Sequence, residues 1–269
     1  MDTVKILFLG DLFGRPGRDF LVQQTPRLRQ QYALDLVVVN GENAASGSGI
    51  TPKIFESLLC AGVDVVTLGN HALRRSEIFP ALALATENVR IIRPGNFPAE
   101  APGRGMTIVR TTKGVCVAVL NLQGRTFMKP VDCPLVAADR LLATLPSDVV
   151  VRLVDYHAEA SSDKQIMGRY LDGRVSAVLG THTHVQTADE QIFPHGTAFL
   201  TDVGMCGPYE GIIGSQMEQV ISVTRTGRPM RFEVAEHDVR LCGAMIEVNT
   251  KTGHAQYIER FQLCQDTLL

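Results

Sequence analysis

The sequence predicts an α/β layered fold with a β-rich C-terminal part, in one domain over residues 1–269. Three observations predict it. Short β-branched runs alternate with longer amphipathic stretches along most of the chain. The strand-like runs are continuously apolar, as in sheets covered on both faces. After about Met205 the pattern changes to hairpins and loops. The 269 residues are 45% hydrophobic and 20% charged, which suits a chain with a sizeable core and excludes a largely disordered one.

The first strand, Lys5–Gly10, is carried by the apolar run Ile6–Leu9 and stops at Gly10-Asp11. An amphipathic helix, Phe20–Tyr32, follows. The strand Leu36–Asn40 runs into Gly41-Glu42-Asn43, and a helix is predicted over Pro52–Ala61. Val63–Leu68 is a strand ending in Gly69-Asn70-His71, followed by a helix over Ser76–Ala85. Val89–Ile92, Thr107–Arg110 and Val115–Asn121 read as strands, and Ala137–Leu145 as a helix. The strand Val149–Val154 runs into Asp155-Tyr156-His157, and Asp163–Leu171 is helical. Val175–Leu179 runs into Gly180-Thr181-His182-Thr183-His184. Thr197–Leu200, Met230–Val234 and Ala244–Val248 complete the strands. No internal repeat, low-complexity tract or linker interrupts the order.

The longest apolar runs fall far short of the roughly 20 residues a membrane span needs. Asp11 comes before any signal-peptide core could form. The six cysteines are scattered, with no C-x-x-C pair, which predicts reduced thiols in a cytoplasmic protein. With 26 basic and 28 acidic residues the net charge is −2, which argues against a nucleic-acid coat or a stable duplex binder. A small phosphate ester or an RNA end remains compatible. Trp is absent, so base stacking would rest on Phe and Tyr.

The chemistry lies where strands stop. Each apolar run ends in Gly or a short polar turn followed by Asp, Glu, Asn or His, and open α/β sheets bind ligands outside the carboxyl ends of their strands. If these strands share a sheet, the side chains meet on one edge. Singly, each has an ordinary alternative. Asp11 could cap a helix, Glu42-Asn43 could be a polar loop, Asn70-His71 a turn, and His157 a core histidine. His182 and His184 beyond one strand form the strongest single signal for metal. Carboxylate, amide oxygen and imidazole without thiolate suit Mn, Fe, Zn or Co. The set is large enough for two cations about 3.5–4 Å apart with one bridging carboxylate.

These residues resemble a known family. Gly69-Asn70-His71 and Gly180-Thr181-His182-Thr183-His184 are similar to the G-N-H and G-H-x-H blocks of calcineurin-like metallophosphoesterases. Gly10 through Arg18, Asn40 through Ala45, Gly49 through Pro52, Tyr170 through Val175, Thr181 through Ala188 and Thr201 through Met205 resemble the YmdB family. The resemblance covers nearly the whole chain. It implies a layered sandwich of β-sheets flanked by helices, and a 2′,3′-cyclic-nucleotide 2′-phosphodiesterase with two divalent metal ions. Fe or Mn come first, with Zn, Co or Mg as alternatives, and a homo-oligomer is implied. Two departures from the broad superfamily are expected of this branch. Phe13 stands where a His is usual, and Glu42-Asn43 replaces the bridging Asp, Asn43 filling the missing ligand. Ala72-Leu73-Arg74-Arg75 departs from the branch itself, at the substrate-facing lip.

The resemblance also implies roles. Asp11, Glu42, Asn43 and His184 would hold the first metal; Glu42, Asn70, His157 and His182 the second, with Glu42 bridging. Hydroxide generated by the two ions would attack phosphorus in line with the ribose oxygen, breaking the 2′ bond and leaving a 3′-monophosphate. His71 would be the general acid, worth roughly 10²–10⁴-fold, or would orient the phosphate. Arg104 and Arg125 are candidates for binding substrate phosphate. The Gly-rich stretch Phe13–Gly17 could present N–H groups to an anion, and Thr201–Gly214 could be a mobile lid. His195, His237 and His254 lack a strand-end setting and read as structural or surface residues. Alternative readings are a metal-dependent phosphatase, an RNA-end nuclease, or a regulatory nucleotide-binding protein with weak turnover. A dinucleotide-binding fold is disfavoured, because Gly-Asp-Leu-Phe-Gly follows the first strand in place of G-x-G-x-x-G.

Overall fold

The computed structural model describes residues 3–84 and 89–268. The elements in chain order are β1 (Thr3–Leu12), α1 (Gly14–Tyr32), β2 (Leu36–Asn40), α2 (Pro52–Cys60) and β3 (Val65–Thr67). A 3₁₀ turn, Ser76–Ile78, leads into α3 (Phe79–Ala83), then β4 (Ile91–Ile92), β5 (Met106–Arg110) and β6 (Cys116–Gln123). Next come α4 (Pro134–Ala143), β7 (Val151–His157), α5 (Ser161–Tyr170), β8 (Ala177–Thr181), β9 (Gln191–Ile192) and β10 (Ala198–Leu200). The C-terminal part holds β11 (Met205–Pro208), α6 (Met217–Thr226), β12 (Val239–Asn249) and β13 (Ala255–Cys264).

The strands form two sheets. One runs β13-β12-β11-β1-β2-β3-β4, and the other β5-β6-β7-β8-β10-β9. One shared sheet, the condition under which the strand ends would meet on a single edge, is not what is found: β1, β2 and β3 lie in the first sheet, β7 and β8 in the second. Period-two alternation explains how the two come together. Ile6, Phe8, Leu36 and Val38 pack with Val119, Leu153, Leu179 and Leu200 in a layer between the sheets. Leu7, Leu9 and Val39 face α1 and its neighbours, and Val154, Tyr156 and Val178 face α4 and α5. The result is helix, sheet, sheet, helix.

The same alternation carries polar residues to the end of the inner layer. Asn40 follows Leu36 and Val38, Asp155 and His157 follow Leu153, and Thr181 follows Leu179. All four are fully buried. In β1 the pairing with β2 shifts register between Leu9 and Asp11, a local irregularity that breaks the alternation just before the carboxylate. Gly10 makes this possible: a Cβ there would fall 1.9 Å from the Gly204 carbonyl oxygen.

Several expected elements change. α1 starts at Gly14, well before Phe20, so Phe13–Gly17 is the entry to a helix and not a loop. Its leading N–H groups are already bonded, Phe13 N to the Cys206 carbonyl at 2.9 Å and Gly14 N to the Asn43 carbonyl at 3.1 Å. Thr201–Gly214 is no lid over its first half. Thr201 through Pro208 is buried, and β11 pairs in parallel with β1 in the heart of the sheet. Met230–Val234 is not a strand, because its exposed residues find no strand to pair with; only Val234 bridges to Ser215. α6, whose residues are all at least partly exposed, went unpredicted. The hairpin of β12 and β13 bears out the β-rich tail, and β12 pairs with β1. The predicted helix Ser76–Ala85 is the 3₁₀ turn plus α3, with Ala85 outside the described residues. Cys60, Cys116, Cys133, Cys206 and Cys242 carry free thiols. Among the described residues no helix is long and apolar enough to cross a membrane.

Candidate metal centre

At the carboxyl end of the inner layer, four side chains meet at one point. His157 Nε2 lies 2.9 Å from Asn70 Oδ1, 3.0 Å from Glu42 Oε1 and 3.0 Å from His182 Nδ1. A ring nitrogen carries at most one proton, so it can satisfy only one of three such acceptors. A cation at their centre would serve all four.

The tautomers show which nitrogens are free to do so. Thr181 Oγ1 lies 2.7 Å from Asp155 Oδ1 and donates to that carboxylate. Its lone pair therefore accepts from His157 Nδ1 at 2.9 Å, which leaves Nε2 facing inward. Asn40 Nδ2 steadies Asp155 Oδ2 from the other sheet at 3.0 Å. His182 Nε2 meets Glu159 Oε2 at 3.0 Å, so Nδ1 faces inward. His184 Nδ1 donates to the Ile213 carbonyl at 3.0 Å, so Nε2 faces inward. Each imidazole is pinned by its outer nitrogen, the arrangement that orients histidine ligands around metals.

A second group lies beside the first. Asp11 Oδ2 accepts from His182 N at 3.0 Å, and Asp11 Oδ1 is 3.7 Å from His184 Nε2. Asn43 Nδ2 meets His184 Nε2 at 3.1 Å, while Asn43 Oδ1 accepts from His71 Nδ1 at 2.7 Å. A half-turn of this amide would bring its oxygen beside His184. Asp11 Oδ1 and Glu42 Oε1 are both buried and make no hydrogen bond among the described residues, Glu42 Oε1 having only its ion contact with His157 Nε2 at 3.0 Å. An unpartnered buried carboxylate oxygen is costly unless a positive charge stands beside it. The donor set thus fits hard or borderline divalent cations.

The electrostatics agree. Burial would lower His157, but Glu42, Asp11 and Asp155 outweigh it and raise the imidazole to about 9. Burial would raise Glu42, but His157 and His71 hold it at about 2. Burial raises Asp11, opposed by His184 and His157. Burial and the neighbouring His157 push His182 down to about 3. Positive charge is favoured at His157 and disfavoured at His182.

Backbone geometry delivers these side chains. His182 and His184 have φ of 104° and 65°, a conformation that L residues adopt only under constraint. At Gly69 the chain runs so close to the site that a Cβ would lie 2.3 Å from His157 Cδ2 and 2.4 Å from Glu42 Oε2. His71 follows, its N–H donating to Glu42 Oε2 at 2.8 Å. Its Nε2 makes no hydrogen bond among the described residues. Phe13, which stands where the broad superfamily has a His, sets its ring edge-on to His184 at 5.5 Å.

The site opens into a cleft of about 640 Å³, walled on one side by Glu42, His71, His182 and His184. All the metal-ligand candidates come together here. Arg104 and Arg125 do not: both are exposed and neither lines the cleft. The arginines that do are Arg75 and Arg231. The sequence reading assigned no role to Asn40, Asp155, Thr181, Glu159, Lys164 or Asp202. The period-two relation of Asp155 to His157 was available; the rest act through contacts distant in sequence.

Comparison with known proteins shows what the chain is similar to. A sequence profile described as YmdB-like protein matches residues 7–261. The chain is 46% identical over 263 residues to a Bacillus subtilis (strain 168) protein named 2′,3′-cyclic-nucleotide 2′-phosphodiesterase, covering 98% of each. It is similar to the crystal structure of a hypothetical protein from Thermus thermophilus, with a TM-score of 0.88 and 40% identity over 97% of this chain and 99% of that one. It is also similar to a structure titled a novel phosphatase from Mycoplasma pneumoniae, with a TM-score of 0.90 and 32% identity over 98% of this chain and 94% of that one. The chain belongs to the YmdB-like protein family.

Proposed function

We propose that this protein is a metal-dependent phosphodiesterase that hydrolyses 2′,3′-cyclic nucleotides at the 2′ bond, giving 3′-monophosphates. The observation that carries the reading is the convergence of Glu42, Asn70 and His182 on His157 Nε2, with every outer ring nitrogen already bonded. The near full-length similarity to the named Bacillus subtilis enzyme supports the substrate class. The profile match over residues 7–261 and the pairing of β12 with β1 support a single catalytic domain. Free thiols support a cytoplasmic setting.

Asp11, Glu42, Asn43 and His184 would hold one divalent cation, and Glu42, Asn70, His157 and His182 the other. Such ions, when bound, supply Lewis acidity and make hydroxide available near neutral pH. The side chains do the rest. His71 stands at the cleft wall, with Nδ1 beside the Asn43 amide and Nε2 open to the leaving oxygen. Burial lowers its pKa, against the pull of Glu42. An acid so tuned gives up its proton readily but is loaded in a smaller fraction of molecules at neutral pH. Thr181 and Asp155 hold His157, Glu159 holds His182, and the Ile213 carbonyl holds His184.

The test is hydrolysis of 2′,3′-cyclic AMP by purified protein with Mn²⁺, with and without chelator, resolving the products. Chelator-sensitive formation of 3′-AMP is expected. Formation of 2′-AMP would overturn the bond assignment, and absence of turnover the substrate class. The phosphatase title of the Mycoplasma pneumoniae structure favours a second reading, a phosphomonoesterase. It would appear in the same assay as free phosphate released from 3′-AMP.

A further inference from the structure

The cleft that holds the metal-facing side chains is also lined by a strip of chain, Arg231–Val234. The same strip also lines a second cavity of about 630 Å³, together with Arg15 and Asp19. The strip is irregular yet anchored. Glu233 N donates to Gln219 Oε1 at 2.7 Å, and Gln216 N donates to the Glu233 carbonyl at 3.0 Å. Ala235 N donates to the Gly214 carbonyl at 2.9 Å. Val234 packs on the start of α1 so closely that a Cβ at Gly14 would lie 2.5 Å from it.

On this anchored strip two side chains are left open. Phe232 is 43% exposed although it lines the cleft. Arg231 is exposed and has no hydrogen bond, ion pair or ring contact among the described residues. The neighbouring arginines are occupied. Arg75 donates to the carbonyls of Ser48 at 3.1 Å and Ala45 at 3.2 Å, and Arg15 pairs with Asp19 at 3.2 Å. An aromatic ring left open and an uncommitted guanidinium, lining the same cleft as the candidate metal centre, match the base and the charge of a nucleotide.

We propose that Arg231 and Phe232 form the nucleotide-recognition wall of this site, Phe232 stacking on the base and Arg231 contacting the phosphate. This rests on the phosphodiesterase reading. Stacking accepts any base, since every base has a π-face, so the wall selects nucleotides over other cyclic phosphodiesters without selecting a base.

The test compares 2′,3′-cyclic AMP with glycerol 1,2-cyclic phosphate, a five-membered cyclic diester with no base. In Phe232→Leu the ratio of the two kcat/KM values falls about tenfold, within the range that base–aromatic stacking supplies. Phe232→Trp restores the ratio, which a merely apolar wall would not require. Arg231→Gln raises KM for both diesters, leaving their ratio in place. Calorimetric titration of 3′-AMP into the Mn²⁺-loaded protein shows the same tenfold weakening in Phe232→Leu without any turnover. An unchanged ratio together with unchanged 3′-AMP affinity in Phe232→Leu would overturn the proposal. If the unsubstituted protein hydrolyses neither diester, the phosphodiesterase reading fails, while the 3′-AMP titration still decides on the wall.

Discussion

Lys164 Nζ lies 2.6 Å from Asp202 Oδ2, and each side chain is only 1% exposed. Asp202 also accepts from Thr183 N at 3.1 Å, Thr183 Oγ1 at 2.7 Å and Gly204 N at 2.8 Å. Thr183 is the residue between His182 and His184, both in the left-handed region. Such strain costs on the order of 1–3 kcal/mol per residue and persists only where the surroundings enforce it. The buried ion pair is therefore the clamp on the histidine turn. Asp202→Ala, which strands the Lys164 charge, should cost about 3–5 kcal/mol in urea unfolding and release bound Mn²⁺. The double variant Lys164→Met, Asp202→Leu should regain much of the stability. It should not regain metal, because the bonds to Thr183 stay lost. Recovery of both would make the pair a packing feature only.

His71 touches Glu42 and Asn43 but stands outside the four-atom cluster at His157. His71→Ala should keep the metal content and lower kcat by roughly 10²–10⁴-fold. Loss of metal along with activity would make His71 a ligand.

Thr181 links His157 Nδ1 to Asp155 Oδ1. Thr181→Val removes the hydroxyl at nearly constant volume and should weaken Mn²⁺ binding roughly 10–100-fold, as loss of an orienting partner does. Thr181→Ser should retain the affinity. Equal Mn²⁺ titration curves for the Val and Ser variants would refute the orienting role.

Away from the site, Asp163 holds the loop after β6 by accepting from Arg125 N and Thr126 N at 3.0 Å each and from Thr126 Oγ1 at 2.8 Å. Burial would raise this carboxyl, but the bonds from Thr126 and Arg125 outweigh it and hold it below its ordinary value. A depressed folded pKa gives stability in full above the unfolded value, about 3.9 for Asp, and loses it as pH falls through the folded value. The stability gap between the unsubstituted protein and Asp163→Asn should thus be open at pH 7 and close in acid. A gap constant with pH, read from urea midpoints, would contradict it.

The strand ends were legible because a polar residue after an apolar run is a local signal. Asp11, Glu42, Asn70, His157 and His182 all announce themselves so, and all reach the site. The division into two sheets was not legible, since β2 and β7 look alike as apolar runs and differ only in their pairing partners. β11 was hidden for the same reason: four residues slot beside the end of β1 and become buried by position. Lys164 reads as an ordinary helix residue until Asp202, 38 positions later, is placed against it. Arg104 and Arg125 drew attention through nearby glycines, whereas Arg231 sat in a stretch that composition marks as strand. Exposure and the lack of any partner among the described residues, both tertiary properties, separate Arg231 from Arg75, the other arginine of the cleft.

The central claim is that these convergent side chains hold two divalent cations. Metal content per chain, by mass spectrometry after Mn²⁺ loading and desalting, tests it most directly in the unsubstituted protein beside Glu42→Gln. Two ions per chain are predicted, falling to one or none when the carboxylate proposed to bridge them is neutralised. No retained metal in the unsubstituted protein, or two ions in both, would contradict it.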